Sequence, residues 1–365
     1  MLENGVKVYS VMFYRLSMFY KTLYKRTRQP ARFFVTLVSI IFFASTLFVS
    51  VPAAAKCALK PTPAILPDAE EHQLLLVTQN LWRLVDDHPD TFSDRPVESS
   101  YFQQRLDAVA GYIGETLRFP HLLAVQEVEH AQLLDALTQR IRAAGGPQYF
   151  VVMKEGLDPS GIDVALLYRA PVVIESVSSP FHSLRYKRSP LYSRPPLVVS
   201  VAQPFSFKLV VVHMRSGINL EDERKGKNIQ EKRFRQASVL REWMDAQQKN
   251  QEKVIVAGDF NSAFGDAIYE QPIALLQALP FMSAWDALPE EERFSYIYQC
   301  RPQAIDNILY GQDIAKMAAR VAVTRGNAGY QYLLYKKKAP YFISDHDALG
   351  VYLQYESLGQ DKEDK

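Results

Sequence analysis

The sequence predicts a mixed α/β fold, with two β-sheets packed face to face and helices on the outside. Short apolar runs rich in β-branched residues recur along the chain, and amphipathic helical patterns lie between some of them. Two pairs of runs are joined by short links, which predicts hairpins and excludes a purely parallel sheet. The paired runs are 163–169 with 171–177 and 196–202 with 207–214.

The individual elements follow from these patterns. In the helix predicted over 227–248, Ala237, Leu240 and Trp243 share one face and charged residues fill the other. Further helices are predicted over 99–117, 129–143 and 269–278. The other predicted strands cover 74–79, 122–127, 149–153, 253–259, 304–310 and 348–355.

Charge is unevenly distributed along the 365 residues. The formal net charge is +2, but residues 1–55 hold seven basic residues and one acidic residue. The rest of the chain carries 35 basic against 39 acidic residues. This balance excludes a broadly basic nucleic-acid binder, so any phosphate contact must come from local basic clusters or from a bound metal ion.

The N-terminal segment has the pattern of an export signal. Its basic residues end at Arg32, and an uncharged apolar run (33–52) and three alanines (53–55) follow. The run is about long enough to span a bilayer, so a retained anchor is the alternative to cleavage. We expect a periplasmic or secreted protein, or one anchored to the inner membrane through residues 33–52.

The remaining boundaries follow from composition. Residues 56–71 are predicted to be a linker, residues 72–356 one domain, and residues 357–365 a charged tail. In an oxidising compartment Cys57 and Cys300 could pair or stay as thiols, and the sequence leaves both open.

Polar side chains stand at the ends of several predicted strands. Taken singly, each has an ordinary structural explanation: a turn former, a charge at a helix N-terminus, a structural histidine or a helix cap. Together they form an ordered series of metal-binding and proton-handling groups along the chain. These residues are Asn80, Glu127, His213, Asp259, Asn261, Asp306, Asp345 and His346.

This ordered series resembles the endonuclease/exonuclease/phosphatase superfamily, mainly through the motifs GDFN (258–261) and SDH (344–346). The resemblance covers residues 72–355 and implies a four-layered α/β/β/α sandwich. The stretches 161–169, 192–199 and 294–310 are similar to those of secreted bacterial nucleases in this superfamily. Asn307 departs from these nucleases, which often have histidine there.

The resemblance also implies roles for individual residues. It implies a divalent metal ion, Mg²⁺ or alternatively Mn²⁺ or Ca²⁺, and oxygen ligands suit such ions. Asn80, Glu127 and Asp345 would bind the metal ion, and His346 would be the general base, held by Asp306. Asp259 and Asn261 would orient the nucleophile and stabilise charge, and His213 would donate to the phosphate. Arg194, with Asn261, would bind substrate, and Asp163 would orient His213.

The expected reaction is attack of water on the phosphorus of a phosphodiester. Basic stretches at 185–188 and 224–235 favour a nucleic-acid substrate, DNA before RNA. The alternatives are a sphingomyelinase-like or inositol-phosphatase-like phosphoesterase, or a non-catalytic membrane-tethered binding module. We expect a monomer that meets the membrane only through its N-terminal segment.

Overall fold

A computed structural model describes residues 61–89, 96–263, 272–330 and 342–356. The predicted export segment, Cys57 and the predicted charged tail lie outside the described residues. Within the described ranges, no helix combines the length and apolarity that a membrane span requires.

The first sheet has six strands: β1 (Gln73–Leu84), β2 (Leu122–Val128), β3 (Phe150–Met153), β4 (Asp163–Tyr168), β15 (Ala318–Val323) and β16 (Leu349–Gln354). Their order is β15-β16-β1-β2-β4-β3. Strands β1 and β2 run parallel, whereas every other neighbouring pair in this sheet is antiparallel. The carboxyl ends of β1 and β2 therefore meet at one edge of the sheet.

The second sheet also has six strands: β5 (Val173–Ser178), β8 (Leu197–Gln203), β9 (Phe207–His213), β10 (Val254–Asp259), β11 (Phe281–Ser283) and β14 (Asp306–Gly311). Their order is β11-β14-β10-β9-β8-β5, with β9 and β10 parallel. Two short antiparallel hairpins lie outside these sheets. One pairs β6 (Arg185–Tyr186) with β7 (Ser189–Pro190), and the other pairs β12 (Tyr296–Tyr298) with β13 (Arg301–Gln303).

Alternating side chains divide the apolar interior into layers. Along β1, Leu74 and Leu76 face the second sheet, while Leu75 and Val77 face the helices. Helices α1 (Ser99–Glu115) and α2 (Ala131–Ala143) cover the first sheet, and α3 (Gly226–Lys249) and α4 (Pro272–Gln277) cover the second. A single turn, α5 (Gln312–Ala315), precedes β15. The predicted four-layered α/β/β/α sandwich is confirmed.

One predicted hairpin is wrong. Residues 163–169 and 171–177 do not pair, because β4 lies in the first sheet between β2 and β3, whereas β5 pairs with β8 in the second. A short link in a sandwich also serves to carry the chain from one sheet to the other. Burial reflects this difference, since β4 is almost wholly buried and β5 is a largely exposed edge strand. The predicted hairpin between β8 and β9 does form.

The described part of the predicted linker is packed against the domain. Leu66 is fully buried in the core beneath α1, and Ala64 pairs with Arg325 in an isolated β-bridge. The hydroxyl of Tyr352 donates to the carbonyl of Pro67 at 2.6 Å. Most of residues 61–71 are exposed, and the contacts of Ala64, Leu66 and Pro67 attach this part of the predicted linker to the domain.

His121 predicts how stability responds to acid. Its Nδ1 accepts a hydrogen bond from the Leu75 N–H at 3.0 Å, and burial followed by the charge of Arg169 lowers its pKa to about 4. In the unfolded chain this imidazole binds a proton near pH 6.5, whereas in the folded chain it stays neutral down to about pH 4. The contribution of neutral His121 to the free energy of unfolding is therefore fully present above pH 6.5 and is lost as the pH falls towards 4. The loss is at most about 3 kcal/mol. His121→Asn keeps an acceptor oxygen and should flatten this loss, as measured by urea denaturation at pH 4.5 and 7. An unchanged acid slope would show that His121 is not its cause.

Candidate active site

The ends of two parallel strand pairs, one from each sheet, lie against each other at one edge of the sandwich. Asn80 from β1 joins them, because its Nδ2 donates to Glu127 Oε1 and to Asp259 Oδ2, each at 3.2 Å. The Arg83 N–H donates to Glu127 Oε2 at 3.0 Å. His213 Nε2 at the end of β9 lies 3.5 Å from Asp259 Oδ2. The fold thus places residues from four strands in one cluster.

The GDFN turn depends on glycine. Gly258 has φ +151°, and a Cβ there would lie 2.0 Å from the carbonyl oxygen of Val212 on the neighbouring strand. A side chain would therefore push β10 away from β9. Beyond it, Asp259 Oδ1 accepts from the Asn261 N–H at 2.7 Å, and Asn261 Nδ2 donates to the Met214 carbonyl at 3.1 Å. These bonds fix the turn to the end of β9.

A carboxylate–histidine pair lies beside this turn. Asp306 at the start of β14 stands opposite Asp259 in the antiparallel register, and its Oδ2 lies 2.6 Å from His346 Nδ1. The ring of Tyr296 lies 4.9 Å from the His346 ring, centroid to centroid. The bond to Asp306 orients the imidazole and directs Nε2 away from the carboxylate.

Titration of His346 reflects the surrounding negative charge. Burial by itself lowers the pKa of this imidazole, but Asp306, Asp345 and Asp259 outweigh burial and raise the pKa well above its usual value. Its Nε2 lies 3.7 Å from Asp345 Oδ1. The carboxylates thus draw positive charge into the site.

The acidic groups are crowded enough to favour a cation. Burial raises the pKa of Asp259 to about 7, with the charge of Asp306 adding to the rise and that of His346 opposing it. Burial also raises the pKa of Asp345. Atoms of Asp259, Asp306 and His346 that could bind a metal lie within 4.8 Å of one another, and Asp306 Oδ1 is buried without a hydrogen-bond partner among the described residues. Two carboxylates and one imidazole at this spacing fit a divalent cation.

His213 is held neutral. Burial lowers its pKa well below the usual value, and the positive charges of Arg194 and His346 lower it further. Its Nε2 also lies 3.9 Å from Glu127 Oε1, and its Nδ1 is buried without a hydrogen-bond partner in the described part of the chain. Arg194 itself is fixed by an ion pair to Asp158 at 3.1 Å.

Asp163 does not orient His213, contrary to the sequence-based expectation. Its Oδ2 accepts from the Gly156 N–H at 2.8 Å, and the described structure contains no bond between it and His213. His213 Nδ1 has no hydrogen-bond partner among the described residues. The Asp163 carboxylate is bound to the backbone of Gly156, so it is not available to orient the imidazole.

Arg105 supports the site and was missed by the sequence analysis. This fully buried residue of α1 directs Nη2 to the carbonyls of Leu81 (2.6 Å), Trp82 (3.0 Å) and Ile343 (3.0 Å), and Nη1 to that of Phe342 (2.8 Å). It thereby ties the chain beyond Asn80 to the chain before the SDH motif. Its position in a helical pattern gave no indication of this, because the four acceptors are backbone carbonyls distant in sequence.

Two side-chain amides also hold His346 and were not predicted. Gln79 Nε2 and Asn327 Nδ2 donate to the His346 carbonyl at 3.0 and 2.9 Å, and the His346 N–H donates to Ser344 Oγ at 3.0 Å. The backbone N–H and carbonyl of His346 thus both have hydrogen-bond partners inside the protein, which fixes the backbone that carries the imidazole.

A second polar cluster, Asp86 with Glu129 and His130, lies outside this site. The Asp86 N–H donates to Glu129 Oε2 at 2.7 Å, and His130 Nε2 lies 3.2 Å from Asp86 Oδ2. The other ring nitrogen of His130 accepts from the Leu133 N–H and caps α2. These bonds tie the exit of β1 to the start of α2, which is a structural role.

Fold and site together define a phosphoesterase-type α/β sandwich, and comparison of the sequence with protein families agrees. The Endonuclease/Exonuclease/phosphatase family matches residues 77–346, and the chain belongs to this family. No curated protein sequence is similar enough to the chain to count as a match.

Solved structures share the fold. Truncated Caenorhabditis elegans TDP2 matches with a TM-score of 0.52 and 14% sequence identity, over 79% of this chain and 100% of that one. D. rerio TDP2, solved in complex with a single-strand DNA product, matches with a TM-score of 0.50 and 18% identity, over 78% of this chain and 100% of that one. At these identities the likeness establishes the fold alone.

The four carbonyl contacts of Arg105 predict a large effect of a conservative change. Arg105→Lys keeps the charge but loses the planar guanidinium with its several N–H donors, so buried carbonyls are left without hydrogen bonds. We expect the free energy of unfolding to fall by about 2–4 kcal/mol. Urea denaturation measures this, with exposed Arg142→Lys as the matched control, expected to change stability by less than about 0.5 kcal/mol. Equal effects of the two substitutions would contradict the assigned role.

Proposed function

We propose that this protein is an exported, metal-dependent phosphodiesterase that hydrolyses nucleic acid, with DNA as the favoured substrate. The observation that carries the proposal is the 2.6 Å Asp306–His346 pair, set beside Asp259 and the Asn80–Glu127 contact. A base oriented by a carboxylate, next to buried oxygen ligands, suits activation of water for attack on phosphorus. Family membership supports this class of reaction.

Asn80, Glu127 and Asp345 would hold the divalent ion, Mg²⁺ or alternatively Mn²⁺ or Ca²⁺. When bound, such an ion supplies positive charge to the phosphate oxygens. Glu127 is held in place by hydrogen bonds from Asn80 Nδ2 and from the Arg83 N–H, so its carboxylate is positioned before an ion binds.

Protein groups would carry the proton and stabilise charge. The surrounding carboxylates raise the pKa of His346, so a bound cation would have to offset their charge before Nε2 could take the proton of the attacking water. Asp306 would hold Nδ1 and stabilise the imidazolium that forms. Asp259 and Asn261 orient the water, and His213 donates to a phosphate oxygen. Arg194 would donate hydrogen bonds from its planar guanidinium to the phosphate.

The substrate and the location are the finer parts of the proposal. The D. rerio TDP2 structure contains single-strand DNA, which supports nucleic acid as a substrate for a relative of this fold. The pattern of basic, apolar and small residues in 1–55 supports export.

Removal of the base should abolish hydrolysis without unfolding the protein. We expect Mg²⁺-dependent nicking of plasmid DNA, stopped by chelator, and a fall of at least about 100-fold in rate for His346→Ala and for Asp306→Asn. Gel analysis of plasmid topology measures this, with exposed His182→Ala as the matched control. RNA and sphingomyelin are assayed in parallel.

Two results would contradict the proposal in different ways. Cleavage of sphingomyelin without cleavage of nucleic acid would replace the nuclease with a phospholipase-type enzyme. Binding of metal without hydrolysis of any substrate would favour a non-catalytic binding module.

A metal ion should also stabilise the fold, because it would relieve repulsion among the buried carboxylates. Thermal melting with and without Mg²⁺ should show a rise that follows ligand linkage, and Glu127→Gln should reduce it. Glu175→Gln, an exposed residue on β5, is the control for the charge change. A Mg²⁺-induced rise that is the same in Glu127→Gln as in the parent protein would remove Glu127 from the metal site.

A further inference from the structure

The short hairpin of β12 and β13 lies beside the proposed general base. The ring of Tyr296, the first residue of β12, packs against the His346 imidazole with the ring centroids 4.9 Å apart. The residue before it, Ser295, accepts a hydrogen bond from the Asp306 N–H at 3.1 Å and, through its carbonyl, one from the Asp347 N–H at 2.8 Å. The start of the hairpin is therefore bonded to both chain segments that carry the carboxylate–histidine pair.

The two faces of this hairpin have different surroundings. Side chains alternate along a strand, so Ile297 points away from the face that carries Tyr296 and Tyr298. Ile297 is 2% exposed and packs with Phe294 and Ala328 in a small apolar cluster. Tyr298, in contrast, is 54% exposed. One face thus anchors the hairpin, while the other carries two tyrosines, the first against the proposed base and the second open to solvent.

A cation stands beside the exposed tyrosine. Arg301 on β13 is the cross-strand partner of Tyr298, across the two-residue turn 299–300. Residues directly opposite each other in an antiparallel pair project to the same face, with their Cβ atoms about 5 Å apart. Arg301 is also exposed. An aromatic ring and a guanidinium therefore share the outer end of the face that begins at His346.

Such a pair suits one unit of a single-stranded nucleic acid. A tyrosine ring stacks on the flat face of a base of any sequence, and a neighbouring guanidinium contacts the phosphate of the same strand. In a duplex the faces of the bases are already stacked on their neighbours. A lipid surface fits less well, because a membrane-inserting hairpin presents large apolar side chains at its tip, where this one has Gln299, Cys300 and Arg301.

We propose that Tyr298 and Arg301 form a base-stacking platform, which holds an unstacked nucleobase of the substrate beside the phosphate that is cleaved. Tyr298 lies two residues, about 7 Å along the strand, from the tyrosine that packs against His346, so the held base belongs to the cleaved nucleotide or to its neighbour. The inference rests on the proposed function and narrows the preferred substrate to single strands and unpaired ends. Duplex DNA leaves the platform empty and is cleaved less efficiently.

Binding isolates the contribution of the bases. Fluorescence anisotropy of the full chain in chelator compares a labelled thymidine oligonucleotide with an oligomer of the same length and charge that lacks every base. We expect the oligonucleotide to bind about tenfold more tightly, a gain within the range for stacking of one base. Tyr298→Ala should bring this ratio close to one, whereas Tyr298→Phe should keep it. Phe150→Ala on β3 is the matched control, because Phe150 is 49% exposed, and should also keep the ratio.

The role of Arg301 is tested through salt dependence. Arg301→Gln should reduce the slope of log Kd against log salt concentration by about 0.7, the value for one phosphate contact on a single strand. Tyr298→Ala should leave the slope unchanged, as should exposed Arg142→Gln on α2, the matched control for the lost charge. Circular dichroism melting confirms that each variant is folded. An unchanged slope in Arg301→Gln would remove Arg301 from the platform.

Hydrolysis gives a third readout. On a single-stranded oligonucleotide, Tyr298→Ala should raise KM by about tenfold with kcat nearly unchanged, because stacking holds the substrate and the transition state alike. On the same sequence as a blunt-ended duplex, KM should not change. An equal rise in KM on both substrates would contradict the preference for unstacked bases.

The outcomes separate the platform from the proposed function. Equal binding of the two oligomers by the parent protein, a ratio that survives Tyr298→Ala, or an equal loss of the ratio in Phe150→Ala would each overturn the platform. Absence of hydrolysis on every nucleic acid would reject the proposed function, while the oligomer ratio would still decide whether Tyr298 stacks on bases. Co-sedimentation with sphingomyelin vesicles that depends on Tyr298, together with an oligomer ratio near one, would overturn the platform in favour of a membrane contact.

Discussion

Repulsion among carboxylates buried at one edge of the sandwich is the constraint on which the rest of the site depends. Asp259, Asp306 and Asp345 are buried, and Glu127, whose side chain is 20% exposed, is joined to Asp259 through the amide of Asn80. Buried charge is tolerated only when partners compensate for it. The sheets provide those partners through backbone N–H groups, the amide of Asn80 and the imidazole of His346.

The fold was largely predictable because it depends on local patterns. Alternation along β1 and the amphipathic face of α3 were visible in the sequence, and each assigned its element to a layer. Sheet membership was less visible, because a short link can join two strands of a hairpin or carry the chain from one sheet to the other. The packing of Leu66 could not be predicted, since a single apolar side chain has no periodicity.

The site was predictable where each residue's own motif set its position. Asp259, Asn261, Asp345 and His346 belong to turns whose sequence defines their geometry, and the structure brings them together with Asn80, Glu127, His213 and Asp306. The assignment of Asp163 failed, because its carboxylate accepts a hydrogen bond from the Gly156 N–H, a backbone contact that no sequence pattern shows. Arg105 and Gln79 were missed because they act on backbone carbonyls, which leave no trace in a sequence.

The guanidinium of Arg105 gives one helix control of two distant chain segments. Since a single group on α1 holds carbonyls of both segments, local opening of that helix would release both segments from their shared donor. Amide protons of α1 and of the segment before the SDH motif would then exchange as one cooperative unit. The protein would accordingly lose its active conformation in a partial unfolding step, while the second sheet and α3 remain folded.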